Sequence, residues 1–317
     1  MKARVALPFP RDWHWGDGEM RNITIVLGLL ASVLAAGACA ASEPTPPKQL
    51  GPTTAWRLDY GDERCSLSQE YGGAGDPLLL EIDSYGARDE FWLSLSGKRI
   101  PSATAPGKAV TVRLPTDPEG RELRGIAGTT DQGVAVVSFP IRFVPFEEYA
   151  RRKAANEAGQ FESEQPNKVF GDYERTIQGI VFGLDPNVVM QLNVGDIAKP
   201  LAALRTCVDS LVKAWGGDPA VQDSLSRSAR PEMKDMQAVF ARYPANLLAN
   251  GLGASAPVRF MVDEKGNATS CVIQTPVVDP AMRQSICGSL RHFRPALDAM
   301  GKPVASVFST RVTFLLK

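Results

Sequence analysis

The sequence predicts an α+β protein, with a β-rich N-terminal domain completed by a long helix and followed by a small α+β unit. Three observations carry that prediction. Residues 56–144 contain short runs rich in β-branched and aromatic side chains, bounded by Gly, Pro or Asp. Residues 196–215 repeat apolar side chains at the spacing of one helix face. Residues 243–317 read in order as a helix turn, a strand, a strand, a helix and a strand.

Taken in order, residues 1–19 show no period and are read as a mis-assigned leader, with translation expected to start at Met20. Residues 20–40 have the form of a secretory signal: Arg21, an apolar run over 23–36, then the small residues Ala36, Gly37 and Ala38. Three fates are open for it. Cleavage after Ala38 or Ala40 leaves a soluble periplasmic protein, and cleavage before Cys39 with lipidation leaves it on a membrane surface. Retention makes an anchor, residues 23–41 being at the lower limit of the roughly 20 needed to span a bilayer. All three imply export, and any membrane association runs through this segment. Residues 41–55 form a Pro-containing linker whose 43–47 stretch, at about 3 Å per residue, reaches on the order of 20 Å.

Residues 56–230 make the first domain. Strands are expected over 56–60, 78–82, 90–95, 109–114 and 134–139, a spacing that favours a sandwich or an antiparallel sheet. The cluster Gly72, Gly73, Ala74, Gly75 lacks the Lys and Ser or Thr of a phosphate loop and reads as a turn. A charge-mixed helix is expected over 146–161, its run from Glu147 to Lys153 most simply a solvated face, with a docking surface as the sharper alternative. An extended segment follows at 176–182. A strong helix begins near Asp196, where Ile197, Leu201, Leu204, Val208, Leu211, Val212 and Trp215 share a face and Gly216 and Gly217 end it. Burying that face is worth on the order of 10 kcal/mol before the entropy cost of folding.

The unit at 231–317 is the most legible. One strand is expected over 257–262 and another over 268–275, joined by a hairpin that needs positive φ at Gly266. Asp279 and Pro280 form a helix start, with Met282, Ile286, Leu290 and Phe293 following at helical spacing. A last strand alternates from Val304 with Phe308, Val312 and Phe314 on one face. Tyr243 and Pro244, Val262 and Asp263 with Gly266, the run Phe293, Arg294, Pro295, Ala296, then Asp298, Gly301 to Val304, and the closing Val312, Thr313, Phe314 carry a resemblance. In that order they resemble the C-terminal domain of TonB-type energy transducers, periplasmic proteins that engage outer-membrane receptors. Two departures stand against proton-motive coupling. The proline-rich arm is short, and the apolar run lacks the histidine those transducers carry in their membrane helix.

Four of the five cysteines lie after the signal. Cys271 shares a strand side with Ile273, and Cys287 lies beside the helix face that must cover the sheet. A bridge between them closes a loop of about 16 residues, worth roughly 3 kcal/mol, and leaves Cys65 for Cys207. That second bridge would join the β-rich start to the long helix as one domain. Reduced, buried cysteines are the alternative.

No catalytic, metal or cofactor site is expected. Lys and Arg total 35 against 35 Asp and Glu, which leaves no electrostatic footprint for nucleic acid. His14 and His292 are the only histidines, and the carboxylates Asp59, Asp62 and Glu63 read as a solvated turn. The expectation is a periplasmic interaction protein, not an enzyme. By resemblance, an outer-membrane receptor or another envelope protein would add a strand to the edge formed by Val304, Ser306, Val307, Phe308, Ser309 and Arg311, flanked by Tyr243 and Pro244. A structural envelope module, whose C-terminal unit only supports the first domain, and an anchored transducer are the other readings.

Overall fold

Period-two alternation and helical stripes set the elements, and a computed structural model shows how they pack. It describes residues 3–6, 47–101, 109–157, 167–185, 188–242, 244, 254–275 and 279–316. The signal, the linker up to residue 46, Tyr243 and the turn expected at 245–251 lie outside the described residues.

The first strands are β1 (Ala3–Ala6), β2 (Lys48–Leu50), β3 (Arg57–Tyr60), β4 (Cys65–Tyr71), β5 (Leu78–Ser84) and β6 (Phe91–Gly97). Next come β7 (Ala109–Arg113), β8 (Arg121–Arg124), β9 (Ile126–Thr129) and β10 (Ala135–Ile141), then α1 (Phe146–Glu157) and α2 (Gly171–Thr176). The middle of the chain forms β11 (Ile180–Asp185), β12 (Val188–Leu192), α3 (Ala198–Ala214), α4 (Pro219–Ser224), β13 (Arg230–Pro231) and α5 (Met233–Ala241). It closes with β14 (Ala254–Val262), β15 (Ala268–Ile273), α6 (Pro280–Cys287), β16 (Phe293–Arg294), β17 (Ala296–Leu297), β18 (Pro303–Val304) and β19 (Ser306–Leu316). The chain is strand-rich α+β.

Two sheets build the first core. A six-stranded antiparallel sheet runs β3-β4-β5-β6-β10-β9, and a five-stranded sheet runs β2-β12-β11-β7-β8, parallel only between β2 and β12. Alternation decides what meets between them: in β6, Phe91, Leu93 and Leu95 are buried while Trp92, Ser94 and Ser96 are half-buried. Leu80, Leu93 and Phe139 of the first sheet share one core with Val112, Ile180 and Phe182 of the second, and the Phe139 and Phe182 ring centroids are 6.2 Å apart. Helix α3 adds Leu201, Leu204, Val208, Leu211 and Val212, and Gly216, at φ +85°, ends it. Buried ion pairs join the elements. Arg121 meets Asp117 at 2.8 Å and gives further N–H groups to the carbonyls of Arg142 and Val144, while Arg205 meets Glu174 at 2.9 Å.

The C-terminal unit is a four-stranded antiparallel sheet, β1-β19-β14-β15. Val258, Phe260 and Val262 of β14 and Val312 and Phe314 of β19 form its core with Ile273, Ile286, Leu290 and Phe293. Rings of Phe260, Phe293 and Phe308 pack with centroids 5.2 to 6.4 Å apart. Gly266 turns the β14–β15 hairpin at φ +82°, and the Asp279 carboxylate caps α6 by accepting from Ala281 and Met282 N–H. Disulfides join Cys65 to Cys207 and Cys271 to Cys287, with Cα atoms 6.1 and 5.7 Å apart. They mark an oxidising, exported compartment. No helix among the described residues is long and apolar enough to cross a membrane.

Several elements depart from the expectation. Ala3–Ala6, in a stretch without period, is a strand on β19. Lys48–Leu50, read as linker, pairs with β12, since its backbone completes that sheet's edge. The extended segment at 176–182 starts late, because α2 occupies Gly171–Thr176. Helix α6 stops at Cys287; Leu290 is buried from the turn that follows and Phe293 from β16. There Ala268 N–H is bonded to Arg291 O, and Phe293 N–H to Gly266 O. The last strand is broken after Val304, which pairs with Ala296 in β17–β18. The charge run of α1 is not simply solvated: Arg152 reaches the buried Asp89 at 2.6 Å. Val221, Leu225 and Ala229 pack into the C-terminal core, so that core draws on residues before 231.

Candidate functional site

The outer side of β19 brings together three of the expected site residues, Val307, Ser309 and Arg311. In an antiparallel ladder a residue's N–H and C=O point to the same neighbour, and successive residues point to opposite ones. Val307 sets the parity. Its N–H donates to Gln222 Oε1 at 3.0 Å and its carbonyl accepts from Gln222 Nε2 at 2.9 Å, away from β14. The odd residues 307, 309, 311, 313 and 315 therefore present their backbone outward. Thr313 and Leu315 face Ala6 and Arg4 of β1. Ser309 and Arg311 lie between the Gln222 amide and β1, and among the described residues their outward backbone groups meet no partner.

Val307, Ser309 and Arg311 turn their side chains to the first domain. Val307 is buried in its core. Ser309 stands over Gly86, where a Cβ would lie 2.9 Å from Ser309 Oγ; at φ +112° this is a site for glycine on both counts. The Arg311 guanidinium stacks 4.0 Å from the Trp92 ring centroid and 5.4 Å from that of Tyr85. Burial holds it below the usual arginine value, against the pull of Tyr85 and Asp83. Beneath it, burial pushes the Asp83 carboxyl above the usual carboxylate range, opposed by Arg64 and the Ser66 hydroxyl. On β14, Arg259 stacks 4.2 Å from the Trp215 ring and meets both Glu63 carboxylate oxygens at 3.1 Å. Gln274 Nε2 donates to Glu63 O at 2.8 Å. One face of the C-terminal sheet is thus committed to the first domain and the other to its own helices.

Of the expected site residues, Val307, Ser309 and Arg311 share the outward parity. Val304 sits in β18, and Ser306 and Phe308 have the opposite parity, Phe308 facing the aromatic core. Pro244 is buried, and Tyr243 lies outside the described residues. Sequence reasoning missed Gln222, Tyr85, Trp92 and Gly86. Asp218 and Pro219 do signal a helix start, since Asp218 accepts from Ala220 N–H at 2.8 Å. Nothing local in the sequence points from that helix to Val307.

Other polar clusters serve the fold. His292 Nδ1 lies 3.0 Å from Asp235, which also accepts from the N–H groups of Arg291 and His292 and so fixes the turn before β16. Among the described residues no group of three or more His, Cys, Asp or Glu is placed to share a metal ion. No protein-family model matches the chain, and no curated protein or solved structure matches it either.

Proposed function

We propose that the chain is an exported, periplasmic interaction protein whose C-terminal unit takes an extended segment of a partner onto the outer side of β19. The partner class implied by the TonB-type resemblance is an outer-membrane receptor or another envelope protein. The observation that carries the reading is the seat of β1, which lies antiparallel on residues 313–316. This side of β19 accepts a strand through backbone pairing, the chemistry of strand addition. The succession of strand, strand, helix and strand in β14, β15, α6 and β19 supports the reading. Cleavage after Ala38 or Ala40 would remove β1 and leave its seat to a partner.

Ser309→Pro tests this in the full chain. Ser309 gives no N–H to β14, so proline there removes an outward donor while leaving the internal ladder whole. Retention of the full chain on outer membranes carrying TonB-dependent receptors should fall about tenfold, the worth of one hydrogen bond of roughly 1.4 kcal/mol. Equal retention of the two proteins sinks the edge assignment. If neither is retained, the structural-module reading replaces it. That reading has its own support in the sheet face fastened to the first domain by Arg259, Gln274 and Arg311.

A further inference from the structure

We infer that Gln222 is a fixed stop at one end of a strand-binding slot on β19, confining an added strand to residues 309–316. This rests on the reading that β19 takes a partner strand, and it specifies where that strand must end.

A primary amide offers an acceptor and a donor side by side, as one residue of a pairing strand does. Gln222 uses both on Val307. The arrangement is built to stay. Gln222 is buried, its N–H donates to Asp218 O at 3.0 Å, and its carbonyl accepts from Asn167 Nδ2 at 2.6 Å. Val307 also packs closely on Gly217, where a Cβ would lie 2.9 Å from Val307 Cγ2. A strand advancing along β19 toward Val307 therefore finds its last pairing position filled by a side chain of the chain itself.

The far part of the slot is the seat of β1. Ala6 lies opposite Thr313 and Arg4 opposite Leu315. Among the described residues the pairing of β1 ends at Ala6, so Ser309 and Arg311 are left for a segment with donors at those two positions. The recognised partner is an extended stretch antiparallel to β19, free of proline opposite residues 309, 311, 313 and 315. Its pairing covers about 27 Å at roughly 3.4 Å per residue.

Residue-resolved amide hydrogen exchange on the wild type should show a protected Val307 and fast Ser309 and Arg311. Gln222→Ala should speed Val307 at least about tenfold, the loss of one hydrogen bond. Gln222→Glu, which keeps the acceptor and loses the donor, should leave Val307 between the two. Unchanged Val307 exchange in a folded Gln222→Ala chain overturns the stop. A Val307 that responds to Gln222, together with retention on outer membranes that Ser309→Pro leaves unchanged, overturns strand addition on β19 instead.

Discussion

Removing the exposed member of the Arg259–Glu63 pair should harm the protein at least as much as replacing the buried one. Arg259 is 5% exposed and is the residue of β14 most firmly held by the first domain. Its contacts are the Trp215 ring at 4.2 Å and both Glu63 oxygens at 3.1 Å, while the Glu63 side chain is 34% exposed. Arg259→Met keeps an apolar stem against Trp215. It loses a charge-assisted hydrogen bond of about 1.5–3 kcal/mol and a stacking term of about 0.5–2 kcal/mol. The freed Glu63 can take up water, and methionine packing recovers part of the loss, so about 1–2 kcal/mol should remain. Glu63→Ala leaves a largely buried guanidinium without its carboxylate. A buried pair broken this way costs about 3–5 kcal/mol, reduced here to about 2–3 kcal/mol because Glu63 is already a third exposed. The double variant should cost less than the sum by about 1–2 kcal/mol. Urea unfolding of the full chain, followed by tryptophan fluorescence and far-UV circular dichroism, measures all three. Costs that simply add, or a Glu63→Ala chain within about 0.5 kcal/mol of wild type, would falsify the claim that this pair fastens the sheet to the first domain.

Three other perturbations follow from the same geometry. Asp235 is held below the usual carboxylate range: burial pulls it up, but the N–H groups of Arg291 and His292 and the His292 ring outweigh that. Its contribution is therefore present above about pH 4 and lost as pH falls through the lowered folded value. Asp235→Asn should flatten the acid side of the stability profile and cost about 1–2 kcal/mol at neutral pH, and an unchanged acid limb would count against it. Gly266→Ala places a Cβ 2.0 Å from the Phe293 carbonyl oxygen at φ +82°, so a loss above about 2 kcal/mol in denaturant midpoint is expected. Serine at both Cys65 and Cys207 opens a bridge across 142 residues and should cost about 5 kcal/mol, against about 3 kcal/mol for the 16-residue Cys271–Cys287 bridge. Reversed sizes in matched unfolding curves would show that the unfolded chain is not what these bridges act on.

Much of the fold could be read locally because its causes are local. Positive φ at Gly266, the Asp279 cap with Pro280, and the apolar stripe of α3 each depend on residues within a turn or two, and the structure contains all three. Strand alternation likewise separated Val258, Phe260 and Val262 from Arg259 and Met261. The Cys271–Cys287 bridge could be paired from strand parity and helix facing, and Cys65–Cys207 followed by elimination. Where reading failed, the deciding partner was remote. The end of α6 is set by hydrogen bonds from residues 291–293 back to the β14–β15 hairpin, and the break after Val304 by pairing with Ala296.

The candidate edge shows the same division. Its sequence determined that residues 304–316 would alternate, that Phe308, Val312 and Phe314 would share a face, and that the other face would carry Ser309 and Arg311. Alternation cannot say what that second face meets, since a solvent-facing and an interface-facing arginine look alike in a strand. Tertiary structure decided that Arg311 rests on Trp92 and Tyr85, some 220 residues earlier in the chain and brought close by the docking of two independently patterned units. It also decided that a glutamine on the six-residue helix α4 takes the backbone of Val307. A side-chain amide fits a strand edge only when an unrelated segment delivers it there, and no periodicity records that delivery.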